Sequence, residues 1–285
     1  MSLRLVTANE RMKETAGVKI VILGPAKIGK TTLLRTVEAP RTLMLNIEAG
    51  DLAVRDVPYQ ELRPEAQWTW RELRDIACYI GGPNPARSPD QAYSQDHYEH
   101  VASEMALKLD SFDTLFVDSI TVASRICFAW CQTRPEAFSE KTGKADTRGA
   151  YGLLGREMVG WLTQLQQAKS KNVVFVGILD QNKDDFGRIS WDPQIEGQAT
   201  QKALLGIVDQ VVTLAKVDFE DAPGGRCFIC QQGNRWGFPA GDRSGKLDEI
   251  EEPHLGKLLT KCADPKRKRG EITTEMNQPT ETEAE

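Results

Sequence analysis

The sequence has no apolar run of the roughly 20 residues that a transmembrane helix requires. Its first residues, Met1-Ser2-Leu3-Arg4-Leu5, lack the hydrophobic stretch of a signal peptide. Internal repeats and heptad runs are missing as well. We therefore predict a cytoplasmic protein that has no membrane partner.

A large excess of positive charge is also missing. The 36 Lys and Arg residues and the 41 Asp and Glu residues give a net charge of −5. Without a global basic field, any contact with DNA would have to be local. At 285 residues and 40% hydrophobic content, the chain is long enough to bury the core of one enzyme-sized α/β domain.

Residues that bind metals are few and poorly spaced. The three histidines, His97, His100 and His254, show no ligand spacing, and we interpret them as surface residues. Cys227 and Cys230 form a single C-x-x-C pair in a strand-like run, where their side chains would face opposite ways. Structural zinc needs four ligands, which Cys127 and Cys131 could complete. We favour buried thiols, and a zinc site stays open as the alternative.

What the chain does contain is the motif G-x-x-x-x-G-K-T at residues 24–31. The apolar run 18–23 before it predicts a buried strand, and residues 32–37 after it predict a helix, which is the context that a phosphate-binding loop requires. Glycines let backbone N–H groups converge on phosphate oxygens, and the helix N-terminus adds its dipole. The alternative is a chance glycine turn before a helix.

The motif predicts binding of ATP. The predicted binding residues are Gly24, Pro25, Ala26, Lys27, Ile28, Gly29, Lys30, Thr31 and Thr32. Lys30 would reach the β- and γ-phosphates, and the Thr31 hydroxyl would hold Mg²⁺.

Strand and helix patterns alternate along the rest of the chain. Further strands are predicted at 41–47, 114–119 and 173–179, and hairpin strands at 207–214 and 226–231. Helices are predicted at about 67–80, 95–109, 121–132 and 151–169, with long polar loops at 133–148 and 180–200. This alternation predicts an α/β fold with a mostly parallel sheet covered by helices on both faces.

Two carboxylates end predicted strands. Asp118 ends the strand 114–119, and at the carboxyl edge of a parallel sheet it would hold Mg²⁺ near Lys30 and Thr31. The alternative is an aspartate that caps the following helix. Glu48 ends the strand after the phosphate loop, where it could orient the attacking water. The alternative is a solvated acid at a strand end.

This order of motifs resembles the RecA-like ATPase superfamily, in which a glutamate ends the strand after the phosphate-loop helix. Residues 234–241 look like the hairpin of RecA-like hexameric helicases, in which Lys and Arg reach the γ-phosphate bound by the neighbouring subunit. Arg235 matches the arginine, whereas the usual lysine is replaced by Gly233. The resemblance therefore makes Lys30, Glu48, Asp118 and Arg235 the candidate catalytic residues. A surface arginine is the alternative for Arg235.

Residues 17–262 as a whole resemble the phage RecA-like P-loop family, which is also called the AAA-domain or phage nucleotide-binding family and includes single-strand annealing ATPases. The resemblance implies a RecA-like core with a C-terminal β-hairpin region, a homo-oligomer, and single-stranded DNA as partner, in the host cell cytoplasm if the chain is phage-encoded. A single-strand-binding protein or another recombination partner is also implied. The segment 1–16 is interpreted as an N-terminal extension, and its shortness leaves filament formation open.

Two loops are the candidate DNA contacts that this family implies. They are Arg134–Arg148, with Lys141, Lys144 and Arg148, and Asp180–Thr200, with Lys183, Phe186, Arg188 and Trp191. Basic side chains would track phosphates and the aromatic ones would stack on bases. Both loops also carry acids, so solvated loops whose aromatics pack on the core are the alternative.

Residues 263–285 change in character. The basic quartet at 266–269 is followed by a glutamate-rich segment with little apolar content, which predicts a disordered charged tail. We therefore predict a Mg²⁺-dependent ATPase of phage-type DNA recombination or annealing. The alternative function is a nucleotide-switched regulator that binds a protein and not DNA. A small-molecule kinase is disfavoured because no substrate lid is evident.

Overall fold

The computed structural model describes residues 4–14, 16–183, 185–187, 189–219 and 222–264. Its strands are β1 (Lys19–Gly24), β2 (Thr42–Asn46), β3 (Gln60–Leu62), β4 (Thr114–Asp118), β5 (Asn172–Lys183), β6 (Ile189–Pro193), β7 (Gln210–Phe219), β8 (Ala222–Ile229), β9 (Gly241–Asp242) and β10 (Ile250–Glu251). Its helices are α1 (Ala8–Lys13), α2 (Trp70–Gly81), α3 (Gln95–Glu104), α4 (Ile120–Cys131), α5 (Thr147–Gln166), α6 (Gln198–Ile207) and α7 (Leu255–Ala263).

The strands form one sheet in the order β10-β8-β7-β1-β5-β4-β2-β3. The pairs from β7 to β3 are parallel, and β8 and β10 add antiparallel strands beyond β7. β6 pairs with the far end of β5 and β9 with β7. The chain therefore has the predicted α/β class, with a mostly parallel sheet and a C-terminal β-hairpin, in the arrangement of a P-loop NTPase fold.

Both faces of the sheet are buried, as parallel strands require. On one face, β1 contributes Val21 and Leu23 to a core that α2, α4, α5 and α6 cover. On the other face, Ile20 and Ile22 pack against Leu34 of the segment after the loop and against α7. Successive residues of a strand point to opposite faces, so a continuous apolar run serves both cores.

Several predicted elements differ from the structure. The helix predicted at 32–37 is a 3₁₀ helix, Thr31–Thr36, whose first turn is closed by a hydrogen bond from the Leu33 N–H to the Lys30 carbonyl oxygen, three residues apart. The polar loop predicted at 180–200 is wrong, because β5 continues to Lys183, β6 pairs with it, and α6 begins at Gln198. Ile207 ends α6 instead of beginning a strand.

The ends of the chain complete the picture. The predicted extension 1–16 contains α1, which has a capping box from Thr7 to Glu10 and no buried residue. The predicted domain 17–262 ends inside α7, and residues from 265 onward, including most of the predicted tail, lie outside the described residues. No helix in the described part of the chain is long and apolar enough to cross a membrane.

Candidate functional site

The phosphate loop leaves the carboxyl end of β1 at Gly24 and leads directly into the 3₁₀ helix. Lys27 and Gly29 have positive φ angles of 63° and 99°, which bend the backbone between the strand and Lys30. A Cβ atom on Gly24 would lie 2.5 Å from the backbone oxygen of Leu214 on β7, so this glycine allows the loop to start close to the sheet. The loop is therefore shaped by β1 and its neighbour β7.

Lys30 lies at the base of this loop, with 9% of its surface exposed. Its Nζ atom donates hydrogen bonds to the carbonyl oxygens of Gly24 and Pro25, each at 2.8 Å. Burial lowers the pKa of Lys30, and the carboxylates of Asp118 and Glu48 oppose that shift. Two carboxylates and one lysine thus meet at the carboxyl edge of the sheet, as predicted.

Asp118 and Thr31 are in direct contact, although β5 separates their strands in the sheet. The Thr31 hydroxyl donates a hydrogen bond of 2.5 Å to Oδ2 of Asp118, which is 4% exposed. Burial raises the pKa of Asp118 to about 6, and the hydrogen bond from Thr31 opposes this. A hydroxyl and a carboxylate are oxygen ligands that Mg²⁺ accepts, so the pair fits the predicted ion.

The helix-cap alternative for Asp118 is wrong. Ser119 is the N-cap of α4, and its hydroxyl accepts the hydrogen bond from the Val122 N–H at 3.4 Å. The Asp118 carboxylate instead points to Thr31.

Glu48 lies just beyond β2 and is exposed. Its N–H and that of Ile47 donate to the carbonyl oxygen of Asp118 at 3.1 and 2.7 Å. Because the backbone of Glu48 is tied to that of Asp118, the exposed carboxylate is held beside the buried one. This placement suits a group that orients water, and it suits the solvated acid as well.

Arg235 is not brought to the phosphate loop of its own chain. Its guanidinium lies 4.5 Å from the centre of the Trp236 ring, and Nη2 is 3.5 Å from the carbonyl oxygen of Asp218. Trp236 packs on the face of β7 and β8 that carries Ala215 and Cys227, which is opposite the face that meets the 3₁₀ helix. In a single chain, the sheet therefore separates Arg235 from Lys30.

The structure instead brings Arg226 to the loop, a residue that the sequence interpretation missed. This arginine on β8 is exposed, and its Nη1 atom is 3.4 Å from the carbonyl oxygen of Ile28. The period-two pattern shows that Arg226 shares a face with Phe228. Only the pairing of β8 with β7, and of β7 with β1, shows that this face meets the loop.

The two candidate DNA loops differ. In Arg134–Arg148, the three basic residues are exposed. In Asp180–Thr200, Phe186 has 88% of its surface exposed, whereas Trp191 is half-buried with its ring centre 4.9 Å from that of Phe238. Trp191 thus packs on the core, as the alternative interpretation has it, and Arg188 lies outside the described residues.

The cysteines and histidines have structural environments. All six cysteines are buried free thiols, and Cys227 and Cys230 belong to clusters on opposite faces of the sheet. Within the described ranges, no group of three or more His, Cys, Asp or Glu residues is arranged to hold a metal. His97 is not a surface residue, because its ring is half-buried and its Nε2 lies 2.8 Å from Asp75.

The loop, its lysine and the Thr31–Asp118 pair define a P-loop ATPase site on a parallel sheet. Residues 16–244 match the family model of an AAA domain, AAA_24, and the chain belongs to this family of ATPases.

A comparison with curated proteins finds no match. Among solved structures, the chain is similar to a prototypical ATPase from the type III secretion system of pathogenic bacteria. The identity is 14%, the TM-score is 0.36, and the match covers 70% of this chain and 51% of that one. The chain thus spans about half the length of that ATPase.

Proposed function

We propose that this AAA-family protein is a RecA-like ATPase that hydrolyses ATP with Mg²⁺ and acts on single-stranded DNA. The observation that carries the ATPase part is the 2.5 Å contact between Thr31 and Asp118, with Lys30 at the base of the same loop. Residues from two strands that are not adjacent in the sheet provide the hydroxyl, the carboxylate and the ammonium that phosphoryl transfer needs.

The residues divide the work by position. Lys30 is the cation for the β- and γ-phosphates, and the backbone of 24–32 surrounds them. Thr31 and Asp118 hold the magnesium ion, which neutralises charge on the phosphate oxygens when it is bound. Glu48, exposed and tied to Asp118 through its backbone, orients the attacking water.

The DNA part rests on the resemblance to recombination ATPases and on the exposed basic residues of Arg134–Arg148. Lys141, Lys144 and Arg148 are all exposed, as contacts to phosphates require. The nearby acids Glu136 and Glu140 are exposed too, so the electrostatic attraction is local.

The test is the rate of ATP hydrolysis with and without single-stranded DNA, at several salt concentrations. We expect Mg²⁺-dependent hydrolysis that DNA stimulates, with a stimulation that weakens as salt rises. The Lys30→Ala variant should be folded and inactive, because only the phosphate contact is removed. Full turnover in that variant would overturn the site.

A rate that is slow and unaffected by DNA would contradict the DNA role. It would favour the alternative, in which the ATP state controls binding of a partner protein. The triple variant Lys141→Gln, Lys144→Gln, Arg148→Gln should lose stimulation and keep basal hydrolysis, because these residues lie outside the phosphate loop.

A further inference from the structure

The hairpin of β7 and β8 places two positive charges directly opposite each other. Lys216 on β7 pairs with Arg226 on β8, and opposite residues of an antiparallel pair share one face. Both side chains are exposed. They follow Leu214 and Phe228 on the face of the sheet that carries the 3₁₀ helix after the phosphate loop. The pair therefore lies beside the loop of the same chain.

Arg226 touches this loop at the residues just before Lys30. Nη1 is 3.4 Å from the carbonyl oxygen of Ile28. A Cβ atom on Gly29 would lie only 2.2 Å from the same Nη1, so the guanidinium lies against the backbone of Gly29. The cation is thus within one residue of the predicted phosphate ligand Lys30.

The surroundings of Arg226 do not neutralise its charge. Its hydrogen bond to Ile28 is long and goes to an uncharged carbonyl. Among the described residues, no carboxylate forms an ion pair with Arg226, and Asp218 on the same hairpin accepts a hydrogen bond from the Gly224 N–H at 3.1 Å. Like charges at opposite positions of a sheet are destabilising, so folding gains nothing from the pair of Lys216 and Arg226. An anion beside the loop would relieve that repulsion.

We propose that Arg226 is a phosphate-binding residue of the nucleotide site, which contacts the phosphate groups of ATP from the same chain that provides Lys30. This inference rests on the proposed function. Arg226 differs from Arg235, which lies across the sheet and can serve only a neighbouring subunit. A guanidinium offers several donors to phosphate oxygens, and charge-assisted hydrogen bonds are the strong ones.

The test is equilibrium binding of ATP with Mg²⁺ by calorimetry, at several salt concentrations. Arg226→Gln removes the charge, and Arg226→Lys keeps it. Arg71→Gln on α2 is the control, because Arg71 is an exposed arginine in an ion pair with Asp75. We expect Arg226→Gln to weaken ATP binding by about tenfold or more, as loss of a hydrogen bond to a charged group does. Arg226→Lys should retain most of the affinity, and the control should bind like the wild type.

The salt dependence separates contact with phosphate from support of the loop. If Arg226 pairs with phosphate, the affinity of Arg226→Gln falls less steeply with salt than that of the wild type. Wild-type affinity and salt dependence in Arg226→Gln would overturn the proposal. So would an equal loss in the Gln and Lys variants with unchanged salt dependence, since that result assigns Arg226 to holding the Ile28 carbonyl. A wild-type protein that binds no ATP would instead refute the proposed function itself.

Discussion

At the residue scale, burial gives two neighbouring carboxylates different roles. Asp118 is 4% exposed and accepts the Thr31 hydroxyl, whereas Glu48 is exposed and held beside it only through its backbone. A buried carboxylate with a fixed partner suits an ion that must not move. An exposed one suits a water molecule that must enter and react.

Glu48→Gln should therefore slow hydrolysis while ATP still binds. The substitution keeps the shape of the side chain and removes the charge that orients water, so we expect a loss of ~10²-fold or more in turnover with little change in ATP affinity. Single-turnover kinetics and calorimetry measure the two quantities. Glu65→Gln, the same change at an exposed position after β3, is the control. A collapse of ATP affinity would make Glu48 a structural residue.

Lys19 makes stability depend on pH away from the site. Its Nζ donates to the carbonyl oxygens of Gly17, Ala168 and Lys171 at 3.0, 3.0 and 2.7 Å. Burial lowers the pKa of Lys19 to about 8, and the carboxylate of Asp209 opposes the shift. Below pH 8 both folded and unfolded chains hold this proton, and the buried charge costs stability.

Between about pH 8 and the ordinary lysine value of 10.5, the folded chain releases the proton first. The unfolded chain then binds more protons, so the contribution of Lys19 to stability rises with pH, by at most ~1.4 kcal/mol per unit. The difference in free energy of unfolding between wild type and Lys19→Met should rise across this window in urea titrations. Lys202→Met on α6 controls for the loss of a lysine, and a flat difference for Lys19→Met would contradict the prediction.

At the scale of elements, α7 supports the segment that follows the phosphate loop. The Leu255 N–H donates to the Thr36 hydroxyl at 2.9 Å, and a Cβ atom on Gly256 would lie 2.4 Å from the Thr36 carbonyl oxygen. Leu255, Leu258 and Leu259 pack in the same core as Leu33 and Leu34. A glycine at 256 thus lets the last described helix lie directly on the 3₁₀ helix.

Gly256→Ala should destabilise the protein by ~1–3 kcal/mol, because backbone atoms must move to admit the methyl group. ATP affinity should fall as well, since the displaced 3₁₀ helix carries Thr31. Gly152→Ala in the interior of α5 is the matched control. No atom lies within 4 Å of its new Cβ, and the better helix propensity of alanine should add ~0.5–1 kcal/mol. Chemical denaturation measures both, and equal stability of the two variants would contradict the role of Gly256.

At the scale of the whole molecule, the positions of the two arginines imply different arrangements. Arg226 meets the loop of its own chain, and Arg235 lies on the opposite face of β7 and β8. If Arg235 acts on ATP, it must do so across a subunit interface. Arginine fingers supplied in trans are worth ~10³–10⁵ in turnover, and the absence of a lysine at Gly233 favours the low end.

A mixing experiment tests this arrangement. Arg235→Ala and Lys30→Ala should each be inactive alone, and together they should regain partial activity, because an intact Lys30 site can face an intact Arg235. Mixing either variant with the double variant Lys30→Ala, Arg235→Ala is the control, and it should restore less. Absence of recovery in assemblies that demonstrably contain both chains, or full activity in a monomer, would show that Arg235 is no trans finger.

The sequence by itself determined the elements whose signals are local. The phosphate loop is contiguous, and β1, β2 and β4 are apolar throughout because both faces of each are buried. Asp118 and Glu48 were predicted because each follows such a run. The hairpin of β5 and β6 escaped notice because its residues from Gln181 to Ser190 are exposed where described and have no apolar alternation.

Only the tertiary structure decided which strands are neighbours, and with that which side chains meet. β5 lies between β1 and β4, yet Thr31 reaches Asp118, and Ser119 rather than Asp118 caps α4. Arg226 meets Ile28 across 198 positions of the chain because β7 pairs with both β1 and β8. Strand order depends on the packing of whole faces, which no local pattern of residues carries.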